Sequence, residues 1–272
     1  LTRKFMVVHL NELRVVVRGG GDLGTGVARR LFLAGMRVVV LERRFPTAVR
    51  WCVALASAVH LREVRVDGVL GKRAEKLPEK PVGWIPILVD EKAEALSAWR
   101  PHVLVDARML KKTPPDTHRE QAELVIGLGP GFWAGENCHA VVETMRGHNL
   151  GRVIWEGGAH ENTGVPAPVN GFASERVVRA PVGGIFYPEA DIGDRVRAGE
   201  VIARIGHQPL RTSISGVLRG LLYAGTPVRA GQKVADVDPR GKRQNCFTIS
   251  DKANAVAGGV LEAILTHFGR NI

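Results

Sequence analysis

Gly19, Gly21 and Gly24 stand in the spacing G-x-G-x-x-G within Arg18-Gly19-Gly20-Gly21-Asp22-Leu23-Gly24-Thr25. The chemistry this spacing suggests is backbone cradling of a diphosphate. The first glycine allows a tight turn, the second lets a pyrophosphate approach the backbone, and the third lets the next helix lie close on the strand. Amide groups at a helix start, aided by the helix dipole, favour an anion. Asp22 and Thr25 lie in the same turn and belong to the candidate cradle. Glu42 follows about twenty residues beyond the loop, where an acid binds a ribose diol. Arg43 and Arg44 come directly after it and suit a 2′-phosphate, so NAD and NADP are both candidate cofactors.

Further groups with function-capable chemistry lie downstream. Asp106 ends an apolar run and is followed by Arg108, Lys111 and Lys112. Gly129 and Gly131 flank Pro130 in a second glycine-rich turn. Proline has no N–H, so this turn is a poorer anion cradle and a better rigid wall. Glu143, Arg146, His148 and Arg152 crowd one short stretch. They read equally as an ion-paired turn or as part of a site, and Arg146 is a candidate ligand contact. Cys246 sits among Arg240, Lys242, Arg243 and Lys252, neighbours that depress a thiol pKa. It is the first candidate for a reactive, catalytic thiolate and Cys138 the second; a small hydrophobe packed beside Phe247 is the alternative. Cys138, His139, His148, His160 and Glu161 match no standard zinc spacing, so no metal is expected.

These residues need elements to position them. Val15-Val16-Val17 predicts a buried strand running into the glycine loop. Leu23, Val27, Leu31 and Ala34 share one helical face, and Gly35 stops that helix. Arg37–Glu42 predicts a second buried strand. The nearly all-apolar stretch Ala48–His60 predicts a buried helix, and the alternation across Glu63–Val69 with Asp67-Gly68 predicts a hairpin. Strands are expected at 85–89, 103–106 and 124–128, with a helix capped by Asp90 running to Trp99. Strand–helix alternation of this kind makes a parallel sheet with helices on its faces, which binds ligands at the carboxyl ends of its strands.

From Glu175 the texture changes to short β pieces punctuated by glycine. Gly184-Ile185 matches Gly216-Val217; Gly193, Val196, Ala198 and Gly199 match Gly225, Val228, Ala230 and Gly231; Ile202-Ala203 matches Val234-Ala235. Two copies of one unit predict a pseudo-twofold β sandwich in which each copy covers the other's apolar face. The half-motifs resemble biotinyl/lipoyl-type barrel-sandwich hybrids. In carrier versions a lysine sits on the hairpin between the halves. Here Ile205–Arg211 contains none, which argues against a swinging carrier. Ser250 or Asp251 caps a final helix whose stripe of Val256, Val260 and Ile264 needs a partner surface.

The fold class expected is therefore α/β: a Rossmann-like parallel-sheet domain over 1–174, a β-rich barrel-sandwich-hybrid module over 175–240, and a tail and helix over 241–272 packing back on the first domain. A net charge of +11 favours an anionic small-molecule ligand or an acidic partner. Scattered basic residues and only 6% aromatics argue against nucleic acid. Three dispersed cysteines suit a reducing compartment. No apolar run is long enough to span a bilayer, and the start, Leu1–Val8, lacks a signal-peptide layout, so no membrane role and a cytoplasmic location are expected. A homo-oligomer is compatible with all of this.

Taken together, Arg18–Ala28, Gly127–Phe132, Glu143–Arg152, Asn162-Thr163-Gly164 and Cys246–Lys252 resemble the YqeB family of the selenium-dependent molybdenum hydroxylase system, over nearly the whole chain. The resemblance implies a factor that matures molybdenum hydroxylases needing labile selenium. Its partners would be a hydroxylase client and other selenium or molybdenum cofactor maturation proteins. It adds molybdopterin dinucleotide to NAD and NADP as a candidate for the diphosphate ligand; since a thiolate is the natural acceptor for reduced selenium, Cys246 or, second, Cys138 is the candidate to carry a perselenide. An NAD(P)-dependent oxidoreductase and a non-catalytic docking scaffold are the alternatives, though no histidine–acid dyad for proton transfer stands out in the sequence.

Overall fold

A computed structural model describes residues 9–80, 82–114 and 116–269. The apolar start, Leu1–Val8, lies outside them. Strand β1 (Arg14–Arg18) leads through the glycine loop into α1 (Asp22–Leu33), and β2 (Arg37–Glu42) follows. The 48–60 stretch departs from the single helix its composition predicts. It is buried, but it forms two short 3-10 turns and α2 (Ala58–Leu61) rather than one helix. Its backbone donors are taken by other elements: Leu55 N–H bonds Thr25 Oγ1 and Ala56 N–H bonds the Gly20 carbonyl, each at 2.9 Å. A continuous helix would need those donors for itself.

The hairpin of β3 (Glu63–Val66) and β4 (Val69–Arg73) turns on Asp67-Gly68, both with positive φ, as that dipeptide predicts. Next come β5 (Ile85–Val89), α3 (Ala95–Trp99), β6 (Val103–Asp106), β7 (Leu124–Leu128), β8 (Trp133–Ala134), β9 (Ala140–Val142), β10 (Val153–Ile154) and β11 (Gly157–Gly158). Helix α3 is shorter than expected. The Asp90 carboxylate does accept amides of its entry, Glu94 and Ala95 N–H at 3.0 and 2.8 Å.

The large sheet has the order β10-β9-β7-β6-β1-β2-β5-β4-β3. Strands β9 through β4 are mutually parallel, and only the two edge strands are antiparallel. The order reverses between β1 and β6. Both faces are covered, which explains the unbroken valines of β1: Val15 and Val17 enter one apolar cluster and Val16 the other.

The rest is antiparallel. It comprises β12 (Val177–Arg179), β13 (Gly184–Pro188), β14 (Arg195–Val196), β15 (Val201–Ile205), β16 (Gln208–Arg211), β17 (Gly216–Leu221), β18 (Pro227–Val228) and β19 (Lys233–Asp238). Two four-stranded sheets result, β12-β19-β17-β14 and β16-β15-β13-β18. Strands β13, β14 and β15 begin 32 residues before β17, β18 and β19. Strand β14 pairs with β17 and β18 pairs with β13, so each repeat completes its sheet with a strand of the other. Phe186, Ile202, Leu218 and Val234 lie at the centre of their shared core.

Helix α4 (Asp251–Gly269) returns to the large sheet and crosses α1, entering the same apolar cluster through Ala253, Val256, Ala257, Val260 and Ile264. Ser250 Oγ accepts the Ala253 amide at 3.1 Å. None of the helices among the described residues is long and apolar enough to cross a membrane.

Candidate functional site

The glycine loop stands at the carboxyl end of β1, beside the point where the strand order reverses. Gly19 has φ +96°, a region that favours glycine. A side chain on Gly24 would meet the Gly19 carbonyl at 1.9 Å, so only glycine lets α1 start this close to the strand. Around Gly21, by contrast, a Cβ would meet nothing within 4 Å. No side chain caps α1. Thr25 works inward instead, donating to the Gly20 carbonyl at 2.9 Å.

Glu42 folds back over the loop. Its Oε2 accepts the Gly20 amide and its Oε1 the Arg43 amide, both at 2.8 Å. Burial pushes its carboxyl up despite these two bonds. On the other side Asp22, in the first turn of α1, pairs with Arg50 at 2.8 Å. Arg50 is buried and also donates to the carbonyls of Asn245 and Thr248 at 2.9 and 2.8 Å. Arg146 grips Asp251, at the start of α4, through two bonds of 2.7 and 2.9 Å. Lys252 lies next to that pair. Burial lowers its pKa first and the Arg146 charge lowers it further, while Asp22 and Glu143 oppose both. Arg50 therefore neutralises the acid in the first turn of α1, and Arg146 and Lys252 are near enough to feel the charge of that same Asp22.

Between β1 and β6 the carboxyl edge is filled by the chain itself. Arg18 is buried and bonds Asp116 at 2.6 Å and Thr117 Oγ1 at 3.1 Å. Asp106 is buried and accepts from Arg108 at 2.6 Å and Thr117 Oγ1 at 2.7 Å. Arg108 also reaches Asp116 at 2.8 Å. Asp106 thus spends its carboxylate within the protein. Gly129 and Gly131 are likewise closed in: a Cβ on them would meet Thr144 Oγ1 and the Lys112 carbonyl, each at 2.3 Å. A cavity of about 390 Å³ lies apart from the loop, lined by Ala93, Glu94, Leu96, Ser97, Glu120 and Gln121.

The cysteines do not meet the expectation of a depressed thiol. Cys246 has no exposed surface and packs in the core of the β sandwich. Burial raises its pKa, outweighing the nearby Arg219, Arg50 and Arg243. Cys138 is equally buried, and its thiol is pushed up to about 12. Desolvation disfavours the thiolate more than the basic neighbours favour it.

One pair escapes a reading by spacing. Glu143 follows β9 directly and is only 1% exposed, yet its carboxylate accepts three N–H groups: Met145 N at 2.6 Å, His160 N at 2.9 Å and His160 Nδ1 at 2.6 Å. Those bonds hold its pKa below the usual range even though burial alone would raise it. The His160 side chain is 56% exposed. The sequence signal was an acid closing an apolar strand; its partner, 17 residues on, arrives through tertiary structure. His148 and Arg152, expected in the same group, are exposed.

No family model matches the chain. Solved structures with similarity include an aspartoacylase family protein from Mesorhizobium loti (10% identity, TM-score 0.26, 83% of this chain and 84% of that one). The ectoine utilization protein EutE (DoeB) from Ruegeria pomeroyi (13%, 0.27, 83% and 85%) and a succinylglutamate desuccinylase/aspartoacylase from Rhodobacter sphaeroides (16%, 0.26, 83% and 84%) are two more. Likeness at these TM-scores carries no argument. Sequence similarity is far stronger: over 257 residues the chain is 46% identical to the uncharacterized protein YqeB of Escherichia coli (strain K12). The match takes in 92% of this chain and 47% of that protein, so the chain spans about half the length of the curated relative it matches. The chain is thus a homologue of YqeB along nearly all of its own length.

Proposed function

We propose that the chain belongs to the YqeB family and serves as a cytoplasmic maturation factor for selenium-dependent molybdenum hydroxylases. It binds a pyrophosphate-bearing ligand, the molybdopterin dinucleotide, on the Gly19–Gly24 loop and presents it to a client hydroxylase. With the β3–β4 hairpin set aside, the parallel strands follow the Rossmann order, in which dinucleotides lie across the carboxyl edge. The β module, read as a barrel-sandwich hybrid without a carrier lysine, is the docking and closing part. The observation that carries this reading is the open space at Gly21, beside an uncapped helix start. Because Cys246 and Cys138 have no exposed surface, the role is handling of the ligand rather than transport of selenium on a thiol.

Native mass spectrometry of the purified protein, followed by calorimetric titration with ADP, NAD and NADP, tests it. The expected result is a bound pyrophosphate compound that Gly21→Val loses without a change in unfolding midpoint. Absence of binding by every probe, with none co-purifying, overturns it. In that case the second reading, a docking scaffold, takes over. The self-filled edge made by Arg18, Asp106, Arg108 and Asp116 favours that one.

A further inference from the structure

We infer that His160 and Glu143 form a proton-transfer pair acting on the far half of a pyrophosphate-bridged ligand, the half that would pass above the filled Arg18–Asp106–Arg108–Asp116 edge toward the end of β9. This rests on the loop reading above and adds a site to it. Register places the pair. Arg18 of β1 is level with Asp106, Asp106 with Gly127, and Gly127 with Val141, so Glu143 stands two residues past that line, as Gly20 does. Glu42 and Glu143 therefore flank the glycine loop on the same edge of the sheet. Three strand spacings separate β1 from β9, about 14 Å, within reach of the second half of a dinucleotide anchored at Gly21. Lys252 senses both Asp22, at the loop, and Glu143, which ties the two places electrostatically.

The pair has the form that proton transfer needs. A carboxylate accepts and cannot donate, so Nδ1 carries a hydrogen, and in the neutral form of the exposed ring the free lone pair is on Nε2. The same oxygen also accepts the His160 backbone amide, which fixes the ring's root. In the step, Nε2 takes the proton of a hydroxyl or thiol on the ligand or on a substrate beside it. The X–H electron pair stays on X as the anion, and the imidazolium is balanced by Glu143. The exposed ring then releases its proton to water, and no oxidant or reductant is consumed. Glu143 is the positioning residue.

The test uses the full chain, diethyl pyrocarbonate and peptide mass mapping of His160, with NAD, flavin adenine dinucleotide and ADP as probes. At ten times its dissociation constant, a dinucleotide lying against the ring slows modification about tenfold, whereas ADP, which lacks a second half, leaves the rate unchanged. Gly21→Val abolishes the protection and keeps the unprotected rate. Nitrogen-15 NMR of the imidazoles is expected to place the His160 hydrogen on Nδ1 in the unmodified protein. Glu143→Ala loses that signature and Glu143→Gln, which retains an acceptor, restores it. Should both variants fail to fold, the NMR of the unmodified protein still decides: a ring whose single hydrogen is on Nε2, with none on Nδ1, overturns the pair. Dinucleotide binding without protection of His160 overturns this inference alone, and no binding by any probe overturns the loop reading together with it.

Discussion

Asp116 stands between two arginines, and acid titration exposes what that is worth. Burial alone would raise its carboxyl, but hydrogen bonds from Arg108 and Arg18 outweigh burial and hold it down to about 2, from an ordinary 3.8. Its folded value lies below its unfolded one. The pairing therefore stabilises the fold above the ordinary value and is lost as pH falls from about 4 toward 2. Asp116→Asn is expected to be less stable at neutral pH and to lose less stability across that acid window, as read from urea midpoints. The thiols give a second residue-scale expectation. Cys138 and Cys52 are pushed up to about 12 and about 11, chiefly by burial, and burial raises Cys246 as well. Iodoacetamide at about pH 8 should leave Cys138 and Cys246 unlabelled in the native chain and label both in urea, by intact mass. Their sequence neighbours pointed the other way because charge is legible in a sequence and burial is not. Arg240, Lys242 and Arg243 announce a field around Cys246, but the apolar sandwich that encloses its sulfur is assembled from strands dozens of residues away.

At the scale of elements, the glycine loop separates two demands. Gly24→Ala drives a methyl into the Gly19 carbonyl and should cost at least about 3 kcal/mol or prevent folding. Gly21→Ala meets open space and should stay within about 1 kcal/mol of the parent in urea unfolding, while weakening ADP binding in calorimetry. This loop, the Asp67-Gly68 hairpin and the 32-residue repeat were legible because each rests on local backbone chemistry or on self-similarity. The stretch 48–60 was not. Its apolar composition says buried, but Thr25 and Gly20 decide its hydrogen bonding, and both belong to another element. The Glu143–His160 pair was hidden for the same kind of reason: the β9 end and the chain after β11 meet only once the sheet has formed.

Over the whole molecule, Arg50 is the joint. It links the first turn of α1 to the backbone that enters α4, and Leu221 of the sandwich forms a bridge with Arg50's own backbone. Arg50→Ala leaves Asp22 and two carbonyls without their partner; since the residues that carry them are partly exposed and water can replace the bonds, the loss should be about 1–3 kcal/mol in all. Differential scanning calorimetry should register a lower midpoint, and limited proteolysis should open the stretch before α4 first. The strand exchange in the sandwich has a consequence of another kind. Neither 32-residue half can close its own sheet, since β14 is completed by β17 and β13 by β18. A peptide of that length would find its missing strand only on a twin, so the tandem copies in today's chain are what fusing an ancestral self-associating pair into one gene would leave behind.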